Sequence, residues 1–432
     1  MHDALGLPVS GANAAGLSAL QAGLDDFRRY IGDPAANAAE AAQAAPGMPM
    51  AHLLTAWLHL LGTEPTALPA ARASCAAAAL LPLNDRERMH LQAAEALTRG
   101  QWRQAGRVLE DLGIAYPRDL LALQAGHQID FFTGDARMLR DRIARALPHW
   151  QPGMPGFHAM LSMHAFGLEE TGDYARAERC GRQAVELEPR DGWGWHAVAH
   201  VHEMRNDPAA GVEWLGAHSA TWSDGSFFAV HNWWHLALFN LELGNEAEVL
   251  RLYDEAIGTG SSVLLDLVDA SAMLWRLQLR GVPLGDRWSD VADRWLASGA
   301  PGHYAFNDLH MMMAFVGAGR EDAQAQVLAA QQEALHAADD NARFTAEVGH
   351  PAAAALHAWG RGDYARCVAL LRGIRSGAHR FGGSHAQRDV IDLTLLDAAE
   401  RAGQRELAQA LRCERGELRP RTASAPHLAL AA

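Results

Sequence analysis

A short turn recurs along this chain at nearly regular intervals, and each occurrence separates two apolar stretches with helical spacing. Successive turns lie 34 to 43 residues apart. They are centred on Gly62, Gly100, Gly134, Gly172, Asn206-Asp207, Gly244, Gly281, Gly319, Gly362 and Gly403. Helix, turn and helix at a recurring period indicate a helical solenoid, in which each helix pair buries its apolar face against the next.

The sequence around three of these turns indicates which kind of solenoid to expect. Three segments each open their second helix with a glycine, one intervening residue and an aromatic residue: ETGDYARAERCGRQAVELEPRD, RGQWRQAGRVLEDLGIAYPRD and GRGDYARCVALLRGIR. That pattern is typical of tetratricopeptide repeats, which are about 34 residues long. The sequence therefore predicts an all-α, right-handed solenoid of about ten helix pairs that encloses a concave polar pocket. One domain should span residues 1–415, followed by a flexible tail at 416–432.

Composition and charge exclude several classes of function. The chain has 432 residues, is 49% hydrophobic and carries a formal charge of −14, which disfavours nucleic acid or an anionic membrane as a partner. It contains no lysine, so all 37 basic residues are arginine. A P-loop lysine and a Schiff-base lysine are therefore excluded.

Cysteine usage and hydropathy favour a cytoplasmic protein. Cys75, Cys180, Cys367 and Cys413 are far apart and form no CxxC pair, as expected of reduced thiols. No run of about 18 apolar residues and no signal-peptide pattern is present. Assembly into a homodimer through the terminal repeats stays open.

A polar residue recurs in the first helix of successive repeats. Its positions are His127, His164, His200, His235, Asp269, His303, His350 and His385. The first helix of each repeat in such solenoids lines the concave surface, so these side chains should face one interior space. A histidine in an apolar helix is more often a hydrogen-bonded core residue, but a recurring polar stripe is costly to bury unless its members are paired or used.

Polar partners also share single helix faces. His196, His200 and Glu203 are spaced by four and three residues, and His231 and His235 in HNWWH are four apart. Residues three or four apart project from the same side of a helix. We therefore expect the histidine side chains of HNWWH to face the interior of the solenoid, with Glu203, Asp269 and Asn307 as neighbours.

At this level of detail the chain resembles the tetratricopeptide repeat protein 38 family, over about residues 10–415. The blocks that carry the likeness are FFTGDARMLRDRIARALPHW, FGLEETGDYARAE, DGWGWHAVAHVHEM, HNWWHLAL, LVDASAMLWRLQ, FNDLH and GGSHAQRD. The resemblance implies an α-helical repeat fold and no settled activity. It places the family motifs on His200, Glu203, His231, His235, Asp269, Asn307, Asp308, His310, Arg388 and Asp389.

The first functional hypothesis is an enzyme that acts on a small polar molecule by acid/base chemistry. His200, Glu203, His231, His235 and Asp269 are the predicted catalytic residues, since histidines beside carboxylates supply general acids and bases. No G-x-S-x-G motif is present, which favours hydrolysis by activated water, or elimination, over covalent catalysis. The predicted substrate-binding residues are Trp234, Asn307, Asp308, His310, Arg388, as a carboxylate or phosphate anchor, and Asp389.

A metal-assisted variant of this enzyme stays open. His200, His231 and His235 offer three nitrogen ligands for Zn²⁺ or another divalent metal and leave a coordination position free. HNWWH has Asn232 where the HExxH motif of zinc proteases has its glutamate.

The alternative hypothesis is a scaffold that binds a peptide or protein on its concave face, the commonest use of such solenoids. Peptide-holding grooves of the carboxylate-clamp kind are lined by lysine, arginine and asparagine. The stripe in this chain is histidine and acid, which favours the enzyme.

Overall fold

The computed structural model describes residues 1–418, and within this range the chain forms helices and no strand. Two isolated β-bridges, His2 to Pro8 and Ile31 to Ser226, are the extended pairings there. The predicted all-α class is confirmed. The last helix continues to Leu418, so the first three residues of the predicted tail are helical, and 419–432 lie outside the described residues.

Helices follow one another with short connections throughout the described range. In chain order they are α1 (Ala14–Arg29), α2 (Pro34–Ala44), α3 (Pro49–Leu60), α4 (Leu68–Ala79), α5 (Asp85–Thr98), α6 (Trp102–Ala115), α7 (Leu120–Phe132), α8 (Ala136–Ala146), α9 (Phe157–Glu170), α10 (Tyr174–Leu187), α11 (Gly192–Met204), α12 (Pro208–Gly216), α13 (Ser219–Ser223), α14 (Ala229–Glu242), α15 (Glu246–Leu252), α16 (Leu264–Leu279), α17 (Arg287–Ser298), α18 (Ala305–Gly317), α19 (Glu321–Ala334), α20 (Asp340–Phe344), α21 (His350–Gly360), α22 (Tyr364–Ile374), α23 (His385–Arg401) and α24 (Arg405–Leu418). Short 3₁₀ turns occupy Pro65–Ala67, Leu147–His149 and Arg375–Phe381, and π-helical turns occupy Tyr253–Ile257 and Thr345–Gly349.

The two helices of a pair differ in how much of their surface is buried. In α11 every residue except Met204 is buried, whereas α10 buries only Ala177, Gly181, Ala184 and Val185. A helix that is buried all round lies inside the molecule, and one with a single apolar stripe lies at the surface. The first helix of each such pair is therefore the inner one, as the sequence predicted. No helix in residues 1–418 combines the length and hydrophobicity that a bilayer crossing requires.

A Pro-Arg-Asp segment starts two of the inner helices in the same way. Asp119 caps α7 by accepting a hydrogen bond from the backbone N–H of Ala122, and Asp191 caps α11 in the same manner. The second carboxylate oxygen of each aspartate bonds to a histidine of the preceding inner helix, His90 at 2.9 Å and His158 at 2.8 Å. One aspartate thus fixes both the start of a helix and its position against the previous repeat.

Distant repeats meet across the interior. Trp102 stacks on Tyr304 with ring centroids 5.2 Å apart, and Asn307 donates a hydrogen bond to the hydroxyl of Thr63. One continuous apolar core includes residues from Val9 to Leu411. Helices that are far apart in sequence therefore pack against one another in the interior.

Candidate functional site

Four histidines from two inner helices face one another. His196 and His200 lie on α11, and His231 and His235 lie on α14; we call these four residues the histidine cluster. One ring nitrogen from each lies within 4.8 Å of the others, and neighbouring ring centroids are 4.4 to 5.0 Å apart. The Nε2 atoms of His196 and His231 are 3.1 Å apart.

Helix geometry and the repeat together produce the cluster. His196 and His200 are four residues apart, as are His231 and His235, so each pair projects from one helix face. His231 follows His196 by 35 residues, one repeat of the solenoid. Equivalent positions of adjacent inner helices lie side by side, and two HxxxH pairs therefore become four converging imidazoles.

Three imidazoles of this cluster, those of His196, His200 and His235, have lowered pKa values and ring nitrogens without hydrogen-bond partners. Burial lowers the pKa of His200 to about 3 and holds the pKa values of His196 and His235 well below their ordinary value. Neither ring nitrogen of His200 or His235, nor Nδ1 of His196, has a hydrogen-bond partner within the described chain. Neutral imidazole with a free nitrogen is the form of histidine that binds metal.

Two buried carboxylates lie behind the cluster. Asp269 on α16 accepts a hydrogen bond from Nδ1 of His231 at 2.8 Å, and Glu169 on α9 places an oxygen 3.5 Å from Nδ1 of His200. A carboxylate on the second nitrogen of a metal-binding histidine orients the ring and makes it a stronger ligand. Asp269 was predicted at this site, and Glu169 was not.

The donor set fits a transition-metal ion. Ligands at 2.0–2.1 Å from tetrahedral Zn²⁺ are about 3.4 Å apart, close to the 3.1 Å between Nε2 of His196 and Nε2 of His231. Imidazole nitrogen suits zinc, copper, iron and nickel. The cluster can therefore hold a metal, and it contains His200, His231 and His235 of the predicted set together with His196.

A cavity of about 330 Å³ opens beside the cluster, and we call it the aromatic cavity. His196, His231 and Asp269 border it, so two of the four histidines face its interior. Its other polar lining includes Asp266, Glu64 and Gln128, and its aromatic lining is Phe27, Tyr30, Phe131, Phe132, Trp193, Phe227 and Phe228. Enclosed, largely apolar spaces with a few converging polar groups are typical ligand sites.

Arg388 lies at a different cavity, of about 510 Å³, together with Glu170 and His385. Glu170 accepts hydrogen bonds from the backbone N–H of His385 and from Arg388, and it lies 3.0 Å from Nδ1 of His385. Burial opposes ionisation of Glu170, but His385 and Arg388 hold its pKa at about 2. The positive charge of Arg388 therefore faces a buried carboxylate.

Glu203 and Asp389 border a third cavity, of about 160 Å³. Asp389 accepts two hydrogen bonds from the guanidinium of Arg415. None of the four histidines of the cluster is among the residues that line this cavity, although Glu203 lies on the same helix as His200.

Three further predicted binding residues lie within packed structure. Asn307 donates to Thr63, and His310 is bonded through Nδ1 to the carbonyl of Phe306. Trp234 is fully buried and stacks behind His231 with centroids 5.4 Å apart. None of these three borders the aromatic cavity, so their observed contacts support the fold.

Asp308 is a buried carboxyl that joins the loop before α18 to α19. It accepts hydrogen bonds from the backbone N–H of Gly302 and the side chain of Gln331. Burial raises its pKa to about 7. The contacts are internal to the fold, which gives Asp308 a structural position rather than one on the aromatic cavity.

The titration of Asp308 makes stability depend on pH. Because its folded pKa lies above the unfolded value of about 4, the folded state retains the proton, and the free energy of unfolding should fall from pH 4 to pH 7 by up to about 1.4 kcal/mol per pH unit. Asp308→Asn should remove this slope, measured by urea unfolding at pH 5 and pH 7.5. The exposed Asp322→Asn is the matched control, and an unchanged slope in Asp308→Asn would contradict the assignment.

The other histidines of the recurring stripe do not join the cluster. His127 packs against the rings of Phe166 and Trp193, and burial lowers its pKa to about 3. His350 is bonded to the side chain of Gln331.

No known protein-family model matches the chain.

Proposed function

We propose that the protein is a metal-dependent enzyme whose ion is held by the histidine cluster and whose substrate occupies the aromatic cavity. The observation that carries the proposal is the set of four histidines with converging ring nitrogens, three of which are buried and have at least one nitrogen without a hydrogen-bond partner in residues 1–418. Burying such groups without partners costs free energy, and an ion would satisfy them together.

The chemistry that such an ion supplies is polarisation of a substrate carbonyl or activation of a bound water. The residues of this chain position the reacting groups: Asp269 orients His231, and His196 and His231 face the cavity. Burial excludes bulk water from His200 and His235. Hydrolysis or elimination fits this arrangement, because no covalent nucleophile motif accompanies it.

The geometry supports a small-molecule substrate better than the alternative, a scaffold for a peptide partner. The cavity is bounded by helices and connecting segments of distant repeats, whereas a peptide needs an extended groove. The proposal also includes four predictions made from the sequence. They are a right-handed solenoid, about ten helix pairs, membership of the tetratricopeptide repeat protein 38 family and a cytoplasmic location.

Elemental analysis tests the metal directly. The purified protein should retain about one equivalent of a transition metal through dialysis, as expected for a site with four nitrogen ligands. His231→Ala should lose most of that metal. His164→Ala is the matched control, because His164 is also a buried histidine on an inner helix but lies outside the cluster.

Activity should follow the metal. A panel of aryl esters and amides should be turned over by the loaded protein, and a chelator should abolish turnover until metal is restored. If purified wild-type protein contains no metal above background, the proposed metal centre is wrong. If the metal-loaded protein is inactive on every ester, amide and elimination substrate, the proposed enzymatic function is wrong.

A further inference from the structure

The ionisable side chains that line the aromatic cavity, histidines and one tyrosine aside, are all carboxyl groups. Glu64, Asp266 and Asp269 border it, and no arginine is among the residues described as lining it. The chain has no lysine that could enter instead. Elsewhere in the interior, Asp119 and Asp130 each face an arginine. The carboxyl groups described at this cavity therefore lack the arginine partner that Asp119 and Asp130 have.

The carboxylates at this cavity also have unused hydrogen-bonding capacity. Asp266 accepts one bond from the hydroxyl of Ser261, at 2.6 Å, and Glu64 accepts one from the backbone N–H of Leu264. Neither forms an ion pair within residues 1–418. Asp269, which is 3% exposed, has its Oδ1 atom buried without a partner.

Aromatic rings surround the same space. The ring of Tyr30 lies 5.1 Å from Phe228, 5.7 Å from Phe227 and 5.8 Å from Trp193, measured between centroids. Aromatic faces carry negative partial charge and attract cations, most strongly where water is excluded. Rings and carboxylates thus favour the same kind of ligand.

The cavity runs from an apolar mouth to the histidine cluster. Phe227 and Val263 at its border are 50% and 45% exposed, whereas His196 is 2% exposed. Asp266 is half-buried and accepts a hydrogen bond from the hydroxyl of Ser261, in the segment before α16 that also contains the exposed Val263, so it lies on the Val263 side of the cavity. A ligand charge held at Asp266 leaves the rest of the molecule extending toward His196.

We infer that the aromatic cavity binds an organic cation with an apolar body, such as an aryl- or alkylammonium compound. The positive group lies at Asp266 and Glu64, and the apolar body lies among the rings. The inference names the substrate class of the proposed enzyme and rests on that proposal for the reaction alone, because the binding argument requires no metal. A cationic ligand also differs from the anionic substrate that the sequence predicted for Arg388, because Arg388 borders another cavity.

Three probes of matched shape test the inference by calorimetry. They are (3-phenylpropyl)trimethylammonium, its neutral isostere with carbon in place of nitrogen, and the anion 4-phenylbutanoate. The quaternary ammonium group cannot coordinate a metal, so its binding reports the cavity. We expect the cation to bind about tenfold tighter than the neutral isostere, and the anion to bind weakest.

Two variants locate the charge. Asp266→Asn keeps the shape of the side chain and should reduce the preference for the cation at least fivefold, with the affinity of the neutral isostere unchanged. Glu64→Gln should reduce it in the same direction, which keeps the test available if one variant folds poorly. Asp286→Asn is the charge-matched control, since Asp286 is exposed and does not line the cavity.

Each probe is measured with chelator-treated and with metal-loaded protein. A cation preference in both states supports the inference even if the metal proposal fails. Equal binding of cation and neutral isostere, tighter binding of the anion, or a preference unchanged in both Asp266→Asn and Glu64→Gln would overturn the inference and leave the metal proposal to its own test.

Discussion

Asp119→Ala is expected to lower the free energy of unfolding by about 3–5 kcal/mol, the usual cost of leaving a buried charge without its partner. The carboxylate of Asp119 bonds to Nη1 of Arg86 and to Nε2 of His90, each at 2.9 Å, and caps α7. Trp57 donates to Nδ1 of His90, so Nε2 of that ring carries the hydrogen that Asp119 accepts. Removing Asp119 leaves the guanidinium of Arg86, 2% exposed, without a counter-ion.

The matched control is Asp173→Ala on α10. Asp173 also caps a helix and also contacts an arginine, but its side chain is 40% exposed. Its loss should cost about 1 kcal/mol, as for an ordinary helix cap. Urea unfolding measures both variants, and equal losses would show that Asp119 acts only as a cap.

The same residue should contribute to acid sensitivity. Burial opposes its ionisation, but His90 and Arg86 hold the pKa of Asp119 well below its usual range. Because the pKa of Asp119 is lower in the folded state than in the unfolded state, its ionised carboxylate stabilises the fold at pH values above the unfolded pKa of about 4. This contribution is lost as the pH falls below about 4. The difference in stability between wild type and Asp119→Ala should therefore shrink below pH 4.

The helical fold could be predicted because short-range sequence features mark where helices start and end. Gly134 and Gly172 adopt the left-handed conformation at the turns between helices, and Asp119 and Asp191 cap the inner helices that follow. Such signals need only neighbouring residues. Packing between helices that are far apart in sequence needs contacts such as Tyr304 with Phe132, which are 172 residues apart and have no local signature.

The centre of the candidate site was predictable, and its extent was not. His231 and Asp269 lie together, as expected, because they face each other from adjacent inner helices of successive repeats. The same reasoning applied to His196 would have found the fourth imidazole, since GWGWHAVAH contains an HxxxH pair one repeat before HNWWH. Glu203 shares a helix with His200 but borders a different cavity from the one beside the histidine cluster.

The cavity lining could not be predicted from the repeat. Tyr30 reaches the cavity from α1 and the turn after it, and Trp193 reaches it from the start of α11. These two rings stack because distant parts of the chain meet there. A repeat pattern describes how neighbours pack and contains no information about which distant repeats face each other.

His235→Leu is expected to change stability in opposite directions with and without metal. In chelator-treated protein the variant replaces two buried nitrogens that lack partners with apolar atoms. Leaving a buried polar group unpaired costs about 1–3 kcal/mol, so the apo variant should be as stable as apo wild type or more stable. With metal present, wild type gains the free energy of binding, about 4 kcal/mol at a free metal concentration 1,000 times the dissociation constant.

That gain should be lost in His235→Leu, because the leucine removes one of four ligands. The order of stability therefore reverses between the two conditions. Trp102→Ala is the packing control: it removes a buried ring stacked on Tyr304 and should cost about 3–5 kcal/mol with or without metal. A purely structural role for His235 would make its variant behave like Trp102→Ala, with the same loss in both conditions. Thermal and urea unfolding of each protein, with and without metal, distinguishes the two roles, because packing alone cannot reverse the sign.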